Sequence, residues 1–335
     1  MSVLKISNLV KRFEGVVAVD DLSFSVSPGE IFGFLGGNGA GKTTTLRMVL
    51  DIIRPTSGTI SVLGSPPDRR NAQAIGFLPE ERGLYAGMSA IDTIVYFGRL
   101  KGMKPADARS RGMELLSRFD LADRAKSDIG DMSKGMAQKV QLATSLVNDP
   151  ELLMLDEPLG SLDRSLRERL TADLGALLRR LGLAALHVTH DHDEAFALAD
   201  RIAVMGGGRI DRIGTPDEVW ADPGTVHAAR CLGHENLVVL DADGECALGR
   251  LGSGSGTVLV RADGLSVGPV GGGVDAIVAS VARRAGRLVA TVVVGDLSVR
   301  VPLADGHDAG VGSTLRTGDW VGLVVAAGAA VRLVD

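Results

Sequence analysis

Apolar residues along the first two thirds of the chain follow two patterns. Runs without polar residues occupy 31–35, 152–155 and 184–188, and such runs are typical of strands buried on both faces of a parallel sheet. Apolar and polar residues alternate over 3–9 and 17–26, which predicts half-exposed antiparallel strands. The chain is therefore expected to begin with an α/β core that carries a small antiparallel subdomain.

A helical insert is predicted between the first buried strand and the strand at 152–155. The segments 91–102, 106–119 and 136–147 have the composition and apolar spacing of helices. We expect these helices to form a subdomain at about residues 85–148.

The pattern changes after about residue 232 to short Val- and Leu-rich runs broken by glycine. The runs lie at 237–240, 257–261, 276–281, 288–294, 298–303 and 320–325. Closely spaced short strands with glycine turns favour a small all-β barrel. The sequence therefore predicts two domains, 1–235 and 236–335.

Bulk composition is that of an ordinary globular protein and restricts the classes of partner. The chain has 335 residues, of which 45% are hydrophobic and 23% charged, a length that suggests roughly two domains. A net charge of -5 without a cluster of Lys and Arg argues against nucleic acid as the main partner. Cys231 and Cys246 have no metal-binding spacing, so buried or incidental thiols are expected.

No segment has the pattern of a secretory signal or a membrane-spanning helix. The N-terminal residues 1–13 carry Lys5, Lys11 and Arg12 among alternating residues. The longest apolar stretch, 320–331, is shorter than the ~20 residues that span a bilayer. We expect a cytoplasmic protein whose membrane role, if any, depends on a partner.

The buried strand at 31–35 leads into a phosphate-binding pattern. Residues 36–43, GGNGAGKT, fit G-x-x-x-x-G-K-[ST], in which backbone N–H groups and a helix N-terminus face the phosphates of a nucleotide. In this pattern the lysine reaches the β- and γ-phosphates and the Thr43 hydroxyl holds Mg²⁺. The predicted nucleotide-binding residues here are Gly36, Asn38, Gly39, Gly41, Lys42, Thr43 and Thr44.

Further motifs follow in a fixed order. Asp156, Glu157 and Pro158 end the run at 152–155, Ser161-Leu162-Asp163 comes next, and Thr189-His190 ends the run at 184–188. With the phosphate loop, these motifs resemble the ATP-binding subunits of ABC transporters. The resemblance covers residues 1 to about 235 and implies a RecA-like P-loop NTPase core that binds ATP and Mg²⁺.

The resemblance also implies roles for individual residues. Asp156 would hold Mg²⁺ through water, and Glu157 would polarise the attacking water. His190 would contact the γ-phosphate as a second catalytic residue, while the neighbouring His187 and His192 do not match that position. The other implied nucleotide-binding residues are Phe13, which would stack on adenine, Asp163, Ser133 and Gly135.

Two motifs depart from the family pattern. Where the family typically reads Leu-Ser-Gly-Gly-Gln, residues 132–136 read MSKGM, which keeps Ser133 and Gly135 but lacks the glutamine. Glu80 replaces a glutamine that helps to hold Mg²⁺, so the predicted metal residues are Thr43, Glu80 and Asp156. A carboxylate is a good Mg²⁺ ligand but repels the triphosphate without the metal, which predicts a steep Mg²⁺ requirement. A solvated acidic pair, Glu80 and Glu81, is the alternative interpretation.

The C-terminal region resembles the TOBE domain, an oligonucleotide-binding-type (OB) barrel that is appended to many importer ATPases. The segment 258–265, VLVRADGL, carries this similarity. The resemblance implies dimer contacts, regulation or binding of the transported anion. A dimerisation or spacer module without a ligand is an equally open interpretation.

Two such chains would pair head to tail, each ATP lying between one chain's phosphate loop and the other's Ser133 and Gly135. The family architecture implies a second ATP-binding subunit, taken as a homodimer, and separate transmembrane permease subunits. The permease would dock near residues 80–96, where Leu84, Tyr85, Met88 and Tyr96 are apolar candidates. The subunit would then lie at the cytoplasmic face of the cell membrane as a peripheral protein.

The motifs disagree on the direction of transport. Residues 78–85 and 133–136 resemble exporter subunits, whereas 189–195, 214–223 and the β domain resemble importers, and we favour import. An extracytoplasmic solute-binding protein would then be a further partner. A soluble ABC ATPase and a non-hydrolysing cassette are alternatives, although the former class commonly has two cassettes or a long coiled coil, and Glu157 argues against the latter.

Overall fold

The computed structural model describes residues 2–68, 71–81, 83–160, 162–284, 287–303 and 315–334. Contacts divide the chain into two compact units, Met1–Pro216 and Asp217–Asp335. The predicted domain boundary after residue 235 stays a prediction, and the division by contacts falls before it.

The first unit contains the strands of two sheets and the helices that cover them. Its strands are β1 (Leu4–Phe13), β2 (Val16–Val26), β3 (Ile31–Gly36), β4 (Ser57–Val62), β5 (Ile75–Leu78), β6 (Leu152–Asp156), β7 (Ala184–Thr189), β8 (Arg201–Gly206) and β9 (Arg209–Gly214). Its helices are α1 (Lys42–Val49), α2 (Asn71–Ala74), α3 (Ala90–Leu100), α4 (Pro105–Arg118), α5 (Lys134–Leu146), α6 (Arg164–Leu181) and α7 (His192–Leu198). Short 3₁₀ turns lie at Ala122–Arg124 and Ile129–Asp131.

The larger sheet has the strand order β5-β6-β7-β3-β8-β9 and is parallel except for the edge strand β9. Every residue of β3, β6 and β7 is buried, which is why these strands have continuous apolar runs in the sequence. The smaller sheet, β2-β1-β4, is antiparallel. Both predictions for this α/β unit are confirmed.

The predicted helical insert is present as α3, α4 and α5. Apolar side chains of these helices share one core with residues of the larger sheet, including Ile94, Leu115, Leu146 and Leu155. The Ser89 hydroxyl accepts the Asp92 N–H at 3.2 Å and so caps α3 at the place where its apolar spacing begins.

The second unit is antiparallel β structure, as predicted. Two short helices precede its strands, α8 (Pro216–Ala221) at the division between the units and α9 (Val226–Cys231). The strands are β10 (Leu237–Leu240), β11 (Glu245–Cys246), β12 (Gly249–Arg250), β13 (Gly256–Val260), β14 (Leu265–Gly268), β15 (Val274–Arg284), β16 (Arg287–Val294), β17 (Leu297–Pro302), β18 (Trp320–Val325) and β19 (Ala330–Arg332), with a 3₁₀ turn at Ala262–Gly264. They form the sheets β10-β13-β19, β11-β12 and β14-β18-β15-β16-β17 around a core of valine and leucine. Cys231 and Cys246 are both half-buried, not fully buried as one expectation had them.

Candidate active site

The predicted catalytic and phosphate-binding residues gather at one edge of the larger sheet. Strand β7 pairs with β3 on one side and β6 on the other, all three parallel. The phosphate loop therefore begins at the end of β3, His190 follows the neighbouring β7, and Asp156 is the last residue of β6 on the other side of β7. Ligands of open α/β sheets bind at such carboxyl ends.

The phosphate loop has a backbone that requires glycine at Gly41. Its φ is +102°, and a Cβ built there would lie 2.3 Å from the Ala18 carbonyl oxygen. Gly41 is also the N-cap of α1, and as a glycine it has no side chain to cap the helix. The first N–H groups of α1 therefore face the loop without a capping side chain, which is the arrangement that binds phosphate.

A cleft of about 350 Å³ lies over this loop. Six of the predicted nucleotide-binding residues line it, namely Asn38, Gly39, Gly41, Lys42, Thr43 and Thr44. Glu80 and Glu157 also line the cleft, as do Val16, Val17 and Ala18 of β2, which sequence reasoning missed. Val16 and Val17 are exposed, and no local sequence pattern indicates that the start of β2 approaches the loop.

Lys42 is held over the loop by carbonyl oxygens. Its Nζ donates to the carbonyls of Gly36 at 2.6 Å and Gly37 at 3.0 Å. The same nitrogen lies 3.7 Å from Glu157 Oε1. Gly36 itself is buried at the end of β3 and does not line the cleft. Its carbonyl holds Lys42 instead.

Asp156 is a buried carboxylate, with 5% of its surface exposed. Burial and then the charges of Glu157 and Glu80 raise its pKa to about 6, although Lys42 and a hydrogen bond from Thr43 act in the opposite direction. Within the described residues Asp156 Oδ1 has no hydrogen-bond partner. A buried oxygen in that state suits a cation or its bound water.

Glu157 and His190 contact each other directly. His190 Nδ1 lies 2.7 Å from Glu157 Oε2, and His190 is half exposed whereas Glu157 is mostly buried. Glu157 has a φ of +47°, an uncommon conformation for a non-glycine residue. The structure therefore brings the two predicted catalytic residues together beside Lys42.

The predicted Mg²⁺ residues share one region. Thr43 hydrogen-bonds Asp156, and Glu80 lines the same cleft as Thr43. Over the ranges that the structure describes, no cluster of three or more His, Cys, Asp and Glu side chains is placed to hold a metal unaided. The donor set fits a cation that also takes oxygen ligands from a hydroxyl, from water and from phosphate.

Ser133 and Gly135 lie apart from the lining of the cleft. Ser133 is the N-cap of α5, where its hydroxyl accepts the Met136 N–H at 3.3 Å. Met132 and Met136 line a separate hollow of about 370 Å³ with Arg124 and Asp128. Met136 also packs against the core that α3, α4 and α5 share with the larger sheet.

Phe13 and Asp163 also lie outside the cleft lining. Phe13 ends β1 and is 49% exposed, with Lys11 Nζ 4.9 Å from its ring centroid. Asp163 is the N-cap of α6, and hydrogen bonds from the Leu166 N–H and the Ser165 hydroxyl lower its pKa. Ser161, the first residue of the predicted Asp163 motif, lies outside the described residues.

Most of the chain is similar in sequence to known proteins. The model of the family described as ABC transporter matches residues 19–160. The chain is 39% identical over 282 residues to the Fe(3+) ions import ATP-binding protein FbpC of Streptomyces coelicolor, covering 80% of each chain. It is 36% identical over 280 residues to the spermidine/putrescine import ATP-binding protein PotA of Nitrosospira multiformis, covering 81% of this chain and 76% of that one.

A solved structure shares the fold. It is cbiO1 from Clostridium perfringens, described as part of the ABC transporter complex cbiONQ, with a TM-score of 0.61 and 26% sequence identity. The match covers 68% of this chain and 93% of the solved chain.

Proposed function

Since the chain belongs to the ATP-binding subunits of ABC transporters, we propose that its ATPase activity powers solute import through a separate membrane permease. The observation that carries import is the length of the similarity to importer subunits. At 282 residues it exceeds the 216 residues of the first unit, so it continues into the β unit. The relatives named above import Fe(3+) ions or spermidine and putrescine, which makes a small cationic solute the class to test first.

In the proposed mechanism, different residues at the cleft bind the phosphates, orient the attacking water and hold the metal. The loop N–H groups and Lys42 bind the phosphates, which requires Lys42 to exchange its carbonyl partners for phosphate oxygens. Glu157 orients the attacking water and accepts its proton, and His190 holds the Glu157 carboxylate through the 2.7 Å contact. Thr43, Asp156 and Glu80 would hold Mg²⁺, which when bound offsets negative charge on the phosphates.

We further propose that two chains complete each site. Ser133 and Gly135 begin α5, a helix of 13 residues whose N-terminus can bind a γ-phosphate, yet they do not line the cleft of their own chain. A second copy, placed head to tail, would supply them. Phe13, which is exposed, would stack on the adenine. Asp163 would lie near the nucleotide where the two chains meet.

The permease is proposed to dock on the helical subdomain. Tyr85 and Tyr96 are both exposed and pack edge to face, with ring centroids 5.8 Å apart. Leu84 is partly buried against the core. Within the described parts of the chain, no helix reaches the length and apolar content needed to cross a bilayer. Docking on the permease would hold the subunit at the cytoplasmic face of the membrane.

An exporter subunit is the second candidate. Its support is that Glu80 lines the cleft and Met136 packs against the core, because both departures from the family pattern lie in exporter-like segments. Purification of the tagged chain from detergent-solubilised native membranes, followed by mass spectrometry, separates the two candidates. Recovery of a permease with an extracytoplasmic solute-binding protein supports import, and an exporter-type permease alone overturns it.

A further inference from the structure

His190 lies on a short segment whose flanking residues are both fixed. The Thr189 hydroxyl donates to Glu194 Oε2 at 3.0 Å and accepts the Asp191 N–H at 3.0 Å. Asp191 Oδ1 in turn accepts the N–H groups of Asp193 at 2.9 Å and Glu194 at 3.3 Å, at the start of α7. The half-exposed imidazole therefore takes its position from its two neighbours in the chain.

Arg167 on α6 joins this segment to the loop that follows Glu157. Its Nη1 donates to Asp191 Oδ2 at 2.9 Å, and its Nη2 donates to the Leu162 carbonyl at 3.0 Å. A planar guanidinium can make both bonds at once, whereas an ammonium group has no comparable fixed fork. One side chain thus spans from the residue before Asp163 to the residue after His190.

Burial makes this network more than a surface ion pair. Glu194 is 4% exposed and lies 3.6 Å from Arg167 Nε, and its Oε2 lies 3.5 Å from Nε2 of the fully buried His187. A carboxylate removed from water needs a nearby cation and hydrogen bonds. Arg167 supplies the cation and Thr189 a hydrogen bond, so displacement of Arg167 disturbs both neighbours of His190.

We propose that Arg167 is a positioning residue for ATP hydrolysis, which holds His190 against Glu157 and couples the loop at Leu162 to that contact. The inference rests on the proposed roles of Glu157 and His190. In this arrangement, movement of the Leu162 carbonyl displaces Asp191, because one planar guanidinium is bonded to both. Whether His190 stays within reach of Glu157 then depends on the conformation of the loop at 162–163.

The test compares Arg167→Met with Arg164→Met in the purified full-length chain. Arg164 lies one turn earlier on α6, is exposed and pairs with Glu168 at 2.9 Å, so it is a matched control. We expect Arg167→Met to lower kcat by roughly tenfold or more with KM for ATP nearly unchanged, because misplaced groups cost rate rather than binding. Arg164→Met is expected to behave as the wild type.

A double-mutant cycle with His190→Ala shows whether Arg167 acts through the histidine. If it does, Arg167→Met in the His190→Ala background lowers the residual hydrolysis no further. Losses that multiply in the double variant would overturn the proposal. Arg167→Lys is expected to fall between wild type and Arg167→Met, and it replaces Arg167→Met in the cycle if the methionine variant does not fold.

A spectroscopic readout is independent of catalysis. In protein labelled with ¹³C-histidine, the His190 imidazole signal is assigned by its loss in His190→Ala. We expect this signal to shift in the Arg167 variant and not in Arg164→Met, and an unshifted signal contradicts the proposal. If Glu157→Gln hydrolyses ATP normally, the proposed catalytic roles fail; if it does not, but Arg167→Met is fully active, the Arg167 inference alone fails.

Discussion

At the scale of single residues, the cleft holds its negative charges close together around Lys42. Asp156 is buried, Glu157 lies beside it in the chain, and Glu80 faces the same space. Lys42 is 3.7 Å from Glu157, but it also serves two loop carbonyls. The charges of Glu157 and Glu80 therefore disfavour the ionised form of Asp156, and a bound cation would offset that repulsion.

Replacement of Asp156 by asparagine is expected to stabilise the metal-free protein at neutral pH. The pKa of the Asp156 carboxyl is about 6 in the folded protein and 3.8 in an unfolded chain. The folded state therefore gains stability from binding this proton, fully below about pH 4, and loses that contribution as the pH rises through 6. The loss corresponds to about 3 kcal/mol at most. Asp156→Asn in chelator should therefore raise the midpoint of thermal unfolding at pH 8, with a gain that shrinks towards pH 4.

The control is Asp163→Asn, because that carboxylate is an exposed helix cap with a lowered pKa and asparagine caps nearly as well. It should give no gain at pH 8. Equal melting behaviour of Asp156→Asn and wild type across this pH range would contradict the assignment of a costly buried charge.

Replacement of Glu80 by glutamine tests the predicted Mg²⁺ requirement. Without the metal, the glutamate repels the triphosphate, and removal of about 1 kcal/mol of repulsion should tighten ATP binding roughly fivefold. With Mg²⁺ present, the same change should weaken binding because one hard oxygen ligand is lost. Calorimetric titration of ATP with Mg²⁺ and with chelator measures both effects.

Glu81→Gln is the matched control, since Glu81 is exposed beside Glu80 and does not line the cleft. Its ATP affinity should follow the wild type under both conditions. If ATP affinity differs between Mg²⁺ and chelator by the same factor in Glu80→Gln as in the wild type, Glu80 is part of a solvated acidic pair.

At the scale of elements, the sequence predicts what depends on local pattern. Strands β3, β6 and β7 were found because burial on both faces leaves continuous apolar runs, and β10 and β18 were predicted at their observed bounds. Strands β11 and β12 have two residues each and lack any such pattern. The approach of Val16 and Val17 to the phosphate loop, and of Arg167 to Asp191, depends on contacts between distant segments, which no local pattern encodes.

Replacement of Gly41 by alanine is expected to disrupt the junction of loop and helix α1. The added Cβ would meet the Ala18 carbonyl at 2.3 Å in a left-handed backbone conformation, so the loop must move and its N–H groups lose their common direction. ATP affinity should fall by roughly tenfold or more, as a loss of about 1.4 kcal/mol already gives that factor. Titration with a fluorescent ATP analogue measures it.

Gly37→Ala is the control for this change. No atom of the described residues lies within 4 Å of a Cβ at Gly37, and its φ is outside the left-handed region. Nucleotide affinity close to that of the wild type is expected there. Normal binding by Gly41→Ala would show that the loop tolerates rearrangement.

At the scale of the whole molecule, one chain presents two separate parts of a nucleotide site. The phosphate loop, Glu157 and His190 share one cleft, whereas Ser133 and Gly135 lie at the start of α5 outside its lining. Sequence motifs could name both parts, because each is a short local pattern. Their separation within one chain supports the proposal that function requires a pair.

Replacement of Glu157 by glutamine should therefore trap that pair. Glutamine keeps the size of the side chain but cannot accept the proton of the attacking water, so ATP remains bound between two chains. We expect turnover to fall by roughly a hundredfold or more and light scattering after gel filtration to give a doubled mass with ATP and Mg²⁺. The same variant with ADP should stay monomeric, and normal turnover would remove Glu157 from its role.

The buried charge of Asp156 also bears on the fate of the protein in a starved cell. Ligands that bind only the folded state stabilise it in proportion to the logarithm of their concentration. Repulsion from Glu157 and Glu80 makes the buried charge of Asp156 costly, and a bound cation would offset that cost. When the ATP concentration in the cell falls, we expect subunits without nucleotide to unfold and be degraded faster than subunits that hold it. The abundance of the protein would then follow the energy state of the cell.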